Sequence, residues 1–194
     1  MSKAERTRSF IIERTSSLFN TKGFAGTSMN DITEATGLTK GSVYGNFKNK
    51  DEVALAVFEN NSTKMQKLIA AEISKKKSYR EKLLAYPEMY ESNYLGGALD
   101  GGCPILNTAI EADDTHSELK EAASQAFTDW KDKIAALVKA GIENKEFKST
   151  TQPEETAINI LASIEGMVMI SRLTGKLNYR RYVLDALRKQ IQEL

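Results

Sequence analysis

The chain has 194 residues, 41% of them hydrophobic, enough to bury a real core in one or two domains. Its single cysteine excludes an internal disulfide, no apolar run approaches the roughly 18 residues of a membrane span, and no signal-peptide pattern opens the chain, so a cytoplasmic protein without membrane contact is expected. The net charge of +1 conceals an asymmetry: residues 1–50 hold eight basic side chains against four acidic ones, +4, which leaves −3 for the rest. A basic front on a mildly acidic body is the charge pattern of a nucleic-acid-binding head joined to a second domain.

Thr27 to Lys50, TSMNDITEATGLTKGSVYGNFKNK, reads as two short capped helices joined by a tight turn, with a third helix starting behind them. Thr27 and Ser28 can each cap the first helix, and Ser28 with Asp31 three places on forms a capping box. Ile32 and Ala35 give that helix a small apolar face, and Gly37 supplies the left-handed residue that ends it. Leu38 is the apolar residue of the turn. Thr39 caps a second helix, TKGSVYGNF, whose Val43 and Phe47 lie four apart and face inward. Asn49 caps the third, with Glu52 at its third position. This is the layout of a helix-turn-helix DNA reader.

The remaining side chains of the motif suit DNA. Thr39, Lys40 and Ser42 stand at the start of the second helix, the end that enters the major groove in such motifs. Lys40 can donate to a guanine edge or a phosphate, and Thr39 or Ser42 can bond to either. Gly41 lets the backbone approach the duplex closely. Tyr44, Asn46, Thr27 and Lys50 suit phosphate oxygens, Lys50 from the amino end of a helix. With Ser28, these are the candidate contacts to a double-stranded DNA operator.

The body reads as helices almost throughout, with only three prolines and no sustained two-residue alternation. Asp51 to about Lys75 is one long helix, closed by the solvated KKK run at 75–77. A helix from Tyr79 to Leu95 contains Pro87, which predicts a kink or a division into two. LGGALDGGCP is a glycine-rich loop without the Lys-Ser/Thr ending of a phosphate loop, so no nucleotide site is expected. Helices over Pro104–Asp113, Ser117–Asn144, Pro153–Leu173 and Tyr179–Leu194 follow. The fold class is all-α: a three-helix head and a larger helical body.

Thr7 to Val53 resembles the amino-terminal domain of the TetR/AcrR family of bacterial transcriptional repressors. Ile11, Leu18, Phe19, Gly23, Phe24, Thr27, Ser28, Ile32, Gly37, Lys40, Gly41, Tyr44, Phe47 and Lys50 stand where that family has core, cap and contact residues. Two residues depart from the pattern: Asn46 replaces a frequent His or Tyr, and Thr15 a usual Ala. The resemblance implies a DNA-binding domain over 1–50 and a ligand-binding and dimerisation domain over 51–194. It further implies pairing through the last two helices and a small-molecule inducer site in the body.

Ile160, Ile164 and Val168 on one helix, with Val183, Leu187 and Ile191 on the next, form apolar stripes that serve as a dimer surface or as the chain's own core. Tyr86, Tyr90 and Tyr94 recur every four residues on one helix face. Met65, Tyr86, Met89, Tyr90, Cys103, Asn107, Phe127, Trp130 and Met167 are the candidate pocket residues, with plain core as the alternative. Cys103 precedes Pro104, which favours a first helical position, so its sulfur belongs at a helix amino terminus. GGCPILNTAIEADD also resembles a Gly-Cys helix start in one subgroup of TetR-like repressors, some of which respond to electrophiles through that cysteine.

An enzyme is the competing class, but His116 is the only histidine and its acidic neighbours Asp113, Asp114 and Glu118 read as a solvated helix junction. No cofactor or metal is expected. A ligand-independent DNA-binding protein is the other alternative. The reading that the residues and the resemblance support together is a dimeric, ligand-responsive repressor of a palindromic operator.

Overall fold

The computed structural model describes residues 2–91 and 100–194. Three expectations fall partly outside them: the helix end at Leu95, Tyr94 on its face, and most of the glycine-rich loop. Among the described residues the chain is helical with no strand.

Local capping sets the helix starts. Helix α1 (Lys3–Lys22) opens on a capping box between Ser2 and Glu5. Helix α2 (Met29–Thr36) opens on the expected Ser28–Asp31 box and ends at Gly37, left-handed at φ 69° and ψ 12°, a conformation that glycine adopts without steric cost. Thr27 does not share the cap. It is buried, and its hydroxyl donates to the Gly23 carbonyl at 2.7 Å.

Helix α3 (Lys40–Tyr44) opens on Thr39, whose hydroxyl accepts from the Ser42 amide at 3.2 Å. It is shorter than the nine residues expected. The chain turns at Gly45, a poor helix residue, and the Asn46 side-chain amide takes the Ser42 carbonyl at 2.8 Å. That bond satisfies a helix-end acceptor which a longer helix would have used itself. Val43 and Phe47 still reach the core.

Helices α4 (Lys50–Ser74), α5 (Tyr79–Glu91), α6 (Pro104–Ala112), α7 (Ser117–Glu143), α8 (Pro153–Thr174) and α9 (Leu177–Gln192) follow, close to the expected bounds. Asn49 caps α4, accepting from the Glu52 amide at 2.9 Å. Helix α5 continues through Pro87 without dividing there. The proline removes one backbone bond, at a cost of about 3 kcal/mol. Leu83, Ala85, Tyr86 and Met89 are buried around it and offset that cost, since each large buried apolar side chain contributes roughly 1.5–3 kcal/mol. Arg180 from α9 donates to the last α5 carbonyls, those of Tyr90 and Glu91.

Two compact units emerge. The first takes Met1–Lys64 and Leu99–Ala126, the second Met65–Ala98 and Phe127–Leu194. The division therefore does not fall at residue 50: α4 contributes Lys50–Lys64 to the first unit, and a later segment with α6 returns to it. In the first unit α1 packs on α2 and α6, and α2 on α3, around Ile11, Phe19, Ile32, Val43, Phe47, Val53 and Val57. Thr15 is fully buried there. Its hydroxyl donates to the Ile11 carbonyl at 2.8 Å, which satisfies the polar atom that departs from the family's Ala.

In the second unit α9 packs on α5 and α8, around Leu83, Trp130, Ile134, Ile160, Leu161, Ile164, Leu184 and Leu187. Helix α8 is long and apolar enough to cross a membrane, with a mean hydropathy of 1.3. Its Ile160, Leu161 and Ile164 are wholly buried within the unit.

Candidate nucleic-acid interface and effector cavity

Helix α3 presents its polar side to solvent. Ser28, Thr39, Lys40 and Gly41 are exposed, Tyr44 is 51% exposed, and Ser42 and Asn46 are half-buried. The Asn46 amide nitrogen is committed to the Ser42 carbonyl, so the side chain offers its oxygen. Two residues expected on this face stand behind it. Thr27 is 1% exposed. The Lys50 ammonium donates to the carbonyls of Phe24 at 2.8 Å and Thr27 at 3.0 Å, and lies 4.0 Å from the centre of the Phe24 ring. It tethers the α1–α2 turn to the start of α4, with its donors largely used.

Arg8 holds the other end of α3. Its guanidinium donates to the Asn46 carbonyl at 2.9 Å and to Glu52 at 2.8 Å, and lies 4.0 Å from the centre of the Phe47 ring. Glu52 is held below its ordinary range, chiefly by the Lys48 amide and then by Arg8, against some desolvation. Asp31 is pushed far below its ordinary value by Lys22 and then by Ser28. The positive charges around α3 thus fall into two groups: Arg8, Lys22 and Lys50 hold the protein together, and Lys40 and Lys48 are exposed. No local pattern singled out Arg8, because its partners lie 38 and 44 residues away.

The head is also tied to α6 within the first unit. The Glu111 carboxylate accepts from the Phe24 amide at 2.8 Å and the Ala25 amide at 2.9 Å. The Asn107 amide donates to the Asn20 carbonyl at 3.1 Å and the Gly101 carbonyl at 2.9 Å. Asn20 in turn donates to Gly102 at 3.0 Å. Asn107 is therefore a fastener between α1 and the loop ahead of α6, not the pocket residue expected. His116 caps α7, accepting from the Leu119 amide at 3.2 Å, and meets Phe24 edge-on at 4.6 Å. Cys103 precedes Pro104 at the start of α6, as expected, but only 4% of it is exposed and its sulfur does not cap the helix.

The second unit contains a cavity of about 520 Å³ between α4, α5 and α7. Ile69, Ala70, Ile73, Tyr86, Trp130, Ala136 and Leu137 line it, with Gln66, Ser74, Lys76, Lys82 and Lys133. Of the expected pocket residues, Tyr86 and Trp130 line it. Met65, Met89 and Met167 are buried in the packing, Phe127 and Tyr90 are half-buried away from the lining, and Cys103 and Asn107 belong to the first unit. Burial pushes the Tyr86 phenol well above its ordinary range, and the adjacent Trp130 indole acts weakly the other way.

The apolar stripes of α8 and α9 turn inward. Ile160, Ile164, Val168, Leu187 and Ile191 are at most 8% exposed and Val183 is half-buried, because α8 and α9 cover each other and α5. The expectation that these side chains form a dimer surface is corrected: they are the protomer's own core. The large apolar side chains of α8 and α9 left exposed are Ile158, Met169, Leu173, Leu177, Tyr179 and Tyr182.

Comparison with known proteins agrees with this anatomy. Residues 11–57 match the family model for bacterial regulatory proteins of the tetR family, and residues 80–187 match the tetracyclin repressor-like C-terminal domain. A TetR-family transcriptional regulator from Cytophaga hutchinsonii has the same fold, with a TM-score of 0.95 and 45% identity over 98% of this chain and 96% of its own. An uncharacterized HTH-type transcriptional regulator of Lactococcus lactis is 29% identical, covering 97% of this chain and 94% of that protein. The HTH-type transcriptional repressor DhaR of a Mycobacterium is 24% identical over 84% of this chain and 80% of its own. A matched head, a matched body and near-complete coverage by such relatives place the chain in the TetR family of helix-turn-helix transcriptional regulators.

Proposed function

We propose that the protein is a repressor that binds a palindromic operator as a homodimer and is released by a small molecule held in the body. The observation that carries the DNA half is the outward face of α3. There Thr39, Lys40 and Ser42 stand together at a capped helix start, with Tyr44 beside them, while Arg8 and Lys50 are spent on internal bonds. Two such helices related by a twofold axis read two half-sites one helical turn apart, about 34–36 Å, or a multiple of that. Exposed apolar side chains along α8 and α9 support pairing through that side. The cavity between α4, α5 and α7 is the proposed effector site, and an effector acts by favouring a spacing of the two heads that no longer fits successive grooves.

Operator binding of point variants tests the face. Tyr44→Ala weakens binding about equally on operator and random DNA, as loss of a backbone contact does, whereas Lys40→Ala also relaxes preference at one base position. Wild-type affinity in both variants would overturn the assignment. Mass spectrometry of compounds that co-purify with the protein tests the effector half.

A further inference from the structure

We infer that the cavity of the second unit takes an organic anion, with an apolar body lying on Ile69, Ile73 and Leu137 and a carboxylate met by Lys82 and Lys133. The inference rests on the reading of this cavity as the effector site and names the chemical class of the effector.

The lining carries three lysines and no carboxylate. Their surroundings separate them. Lys76 is neutralised by Glu88 at 2.6 Å. Lys133 meets only the neutral Gln66 side-chain oxygen, at 2.5 Å, and Lys82 lies 4.4 Å from the centre of the Tyr79 ring. Neither Lys82 nor Lys133 has a carboxylate partner among the described residues, although residues 51–194 together carry a net negative charge. Two cations without counter-ions at the edge of an apolar cavity create a local positive potential that the low-dielectric wall focuses inward.

A second observation concerns the wall itself. The Trp130 indole lies on it beside the Tyr86 phenol, with its nitrogen fully buried. An organic cation gains the wall but is repelled by the lysines. A neutral apolar molecule gains only the wall. An organic anion gains the wall and the lysines, and 520 Å³ is within the range of small-molecule sites.

The chain has one tryptophan, so its emission reports on this cavity alone. The full-length protein is titrated with decanoate, 1-decanol and decylammonium, which share an apolar body and differ in charge, and operator affinity is measured with each. Decanoate is expected to quench Trp130 at about tenfold lower concentration than 1-decanol, with decylammonium weakest. The Lys82→Gln, Lys133→Gln pair of substitutions, neither at a buried position, is expected to bring decanoate and 1-decanol to parity. Ala136→Phe, which fills the cavity, is expected to block both. Equal binding of 1-decanol and decanoate by the wild type overturns the anion inference and leaves the effector cavity standing. Decanoate binding that survives Ala136→Phe places the site elsewhere and overturns it as well. If no probe changes Trp130 emission or operator affinity, the inference and the reading beneath it both fail.

Discussion

Glu111 holds Phe24: one carboxylate oxygen accepts from the Phe24 amide at 2.8 Å, while the other takes the next amide, that of Ala25, at 2.9 Å. The turn between α1 and α2 is thus fastened to α6, 87 residues further along the chain. Gly23 makes room for it. Its φ of +75° disfavours a side chain, and a Cβ there would sit 2.5 Å from the Glu111 carboxylate. Glu111→Gln leaves one acceptor oxygen for two donors and is expected to cost about 1–3 kcal/mol, read from the urea midpoint. Gly23→Ala is expected to cost at least as much, and combining it with Glu111→Ala to cost less than the sum, because both act on one contact. Additive losses would mean that the two residues act separately.

Lys50 and Lys40 are expected to differ in their salt responses. A lysine that neutralises a phosphate contributes nearly one unit to the slope of log affinity against log salt. Lys40→Ala is expected to lower that slope by about one. Lys50→Met removes the tether to Phe24 and Thr27, so it weakens folding and operator binding while leaving the slope unchanged. A slope change in Lys50→Met would make it a phosphate contact after all.

The proposed dimer face separates from the core by two kinds of substitution. Leu173 is 80% exposed and Leu177 75% exposed. Leu173→Glu with Leu177→Glu is expected to shift the protein toward monomer in sedimentation without loss of helicity. Ile164→Ala, at a wholly buried position, is expected to destabilise the protomer by about 2–5 kcal/mol through the cavity it leaves. An unchanged sedimentation coefficient in the double glutamate variant would move the dimer face elsewhere.

Acid should loosen the helix starts. Asp31, held down by Lys22 and then Ser28, Glu52, held down by the Lys48 amide, and Glu81, held down by the Ser78 and Lys77 amides, all have folded values below their ordinary 3.8 and 4.5. Each therefore contributes stability that is fully present above those ordinary values and is lost as pH falls through the lower folded ones. Tm is expected to show no pH dependence from these groups above about pH 5 and a decline below it. Asp31→Asn should start from a lower Tm at neutral pH and decline less steeply. An identical slope would show that Asp31 carries none of the effect.

What could be read in advance was what lies close in the chain. Ser28 with Asp31, Thr39 with Ser42 and Asn49 with Glu52 are three residues apart, so spacing alone identifies each cap. The roles of Lys50, Arg8 and Glu111 depend on partners 23 to 87 residues away, and no local spacing encodes them. Periodicity found the apolar stripes of α8 and α9 but not what covers them. Ile160 and Ile164 face the same unit, and the exposed positions fall between the stripe residues. The pocket fared similarly: the tyrosine spacing found Tyr86, while its lysines, which lie on two helices and the turn after α4, carry no signature as a group.

Because α6 supplies the acceptor for the Phe24 and Ala25 amides, the DNA reader is not a detachable cassette. A chimera that grafts residues 11–57 onto another regulator's body inherits two N–H groups whose acceptor stayed behind. Such hybrids should regain full operator affinity only when the segment through Glu111 is transplanted with the head. Exchange of specificities between relatives is then constrained at a position that touches no base.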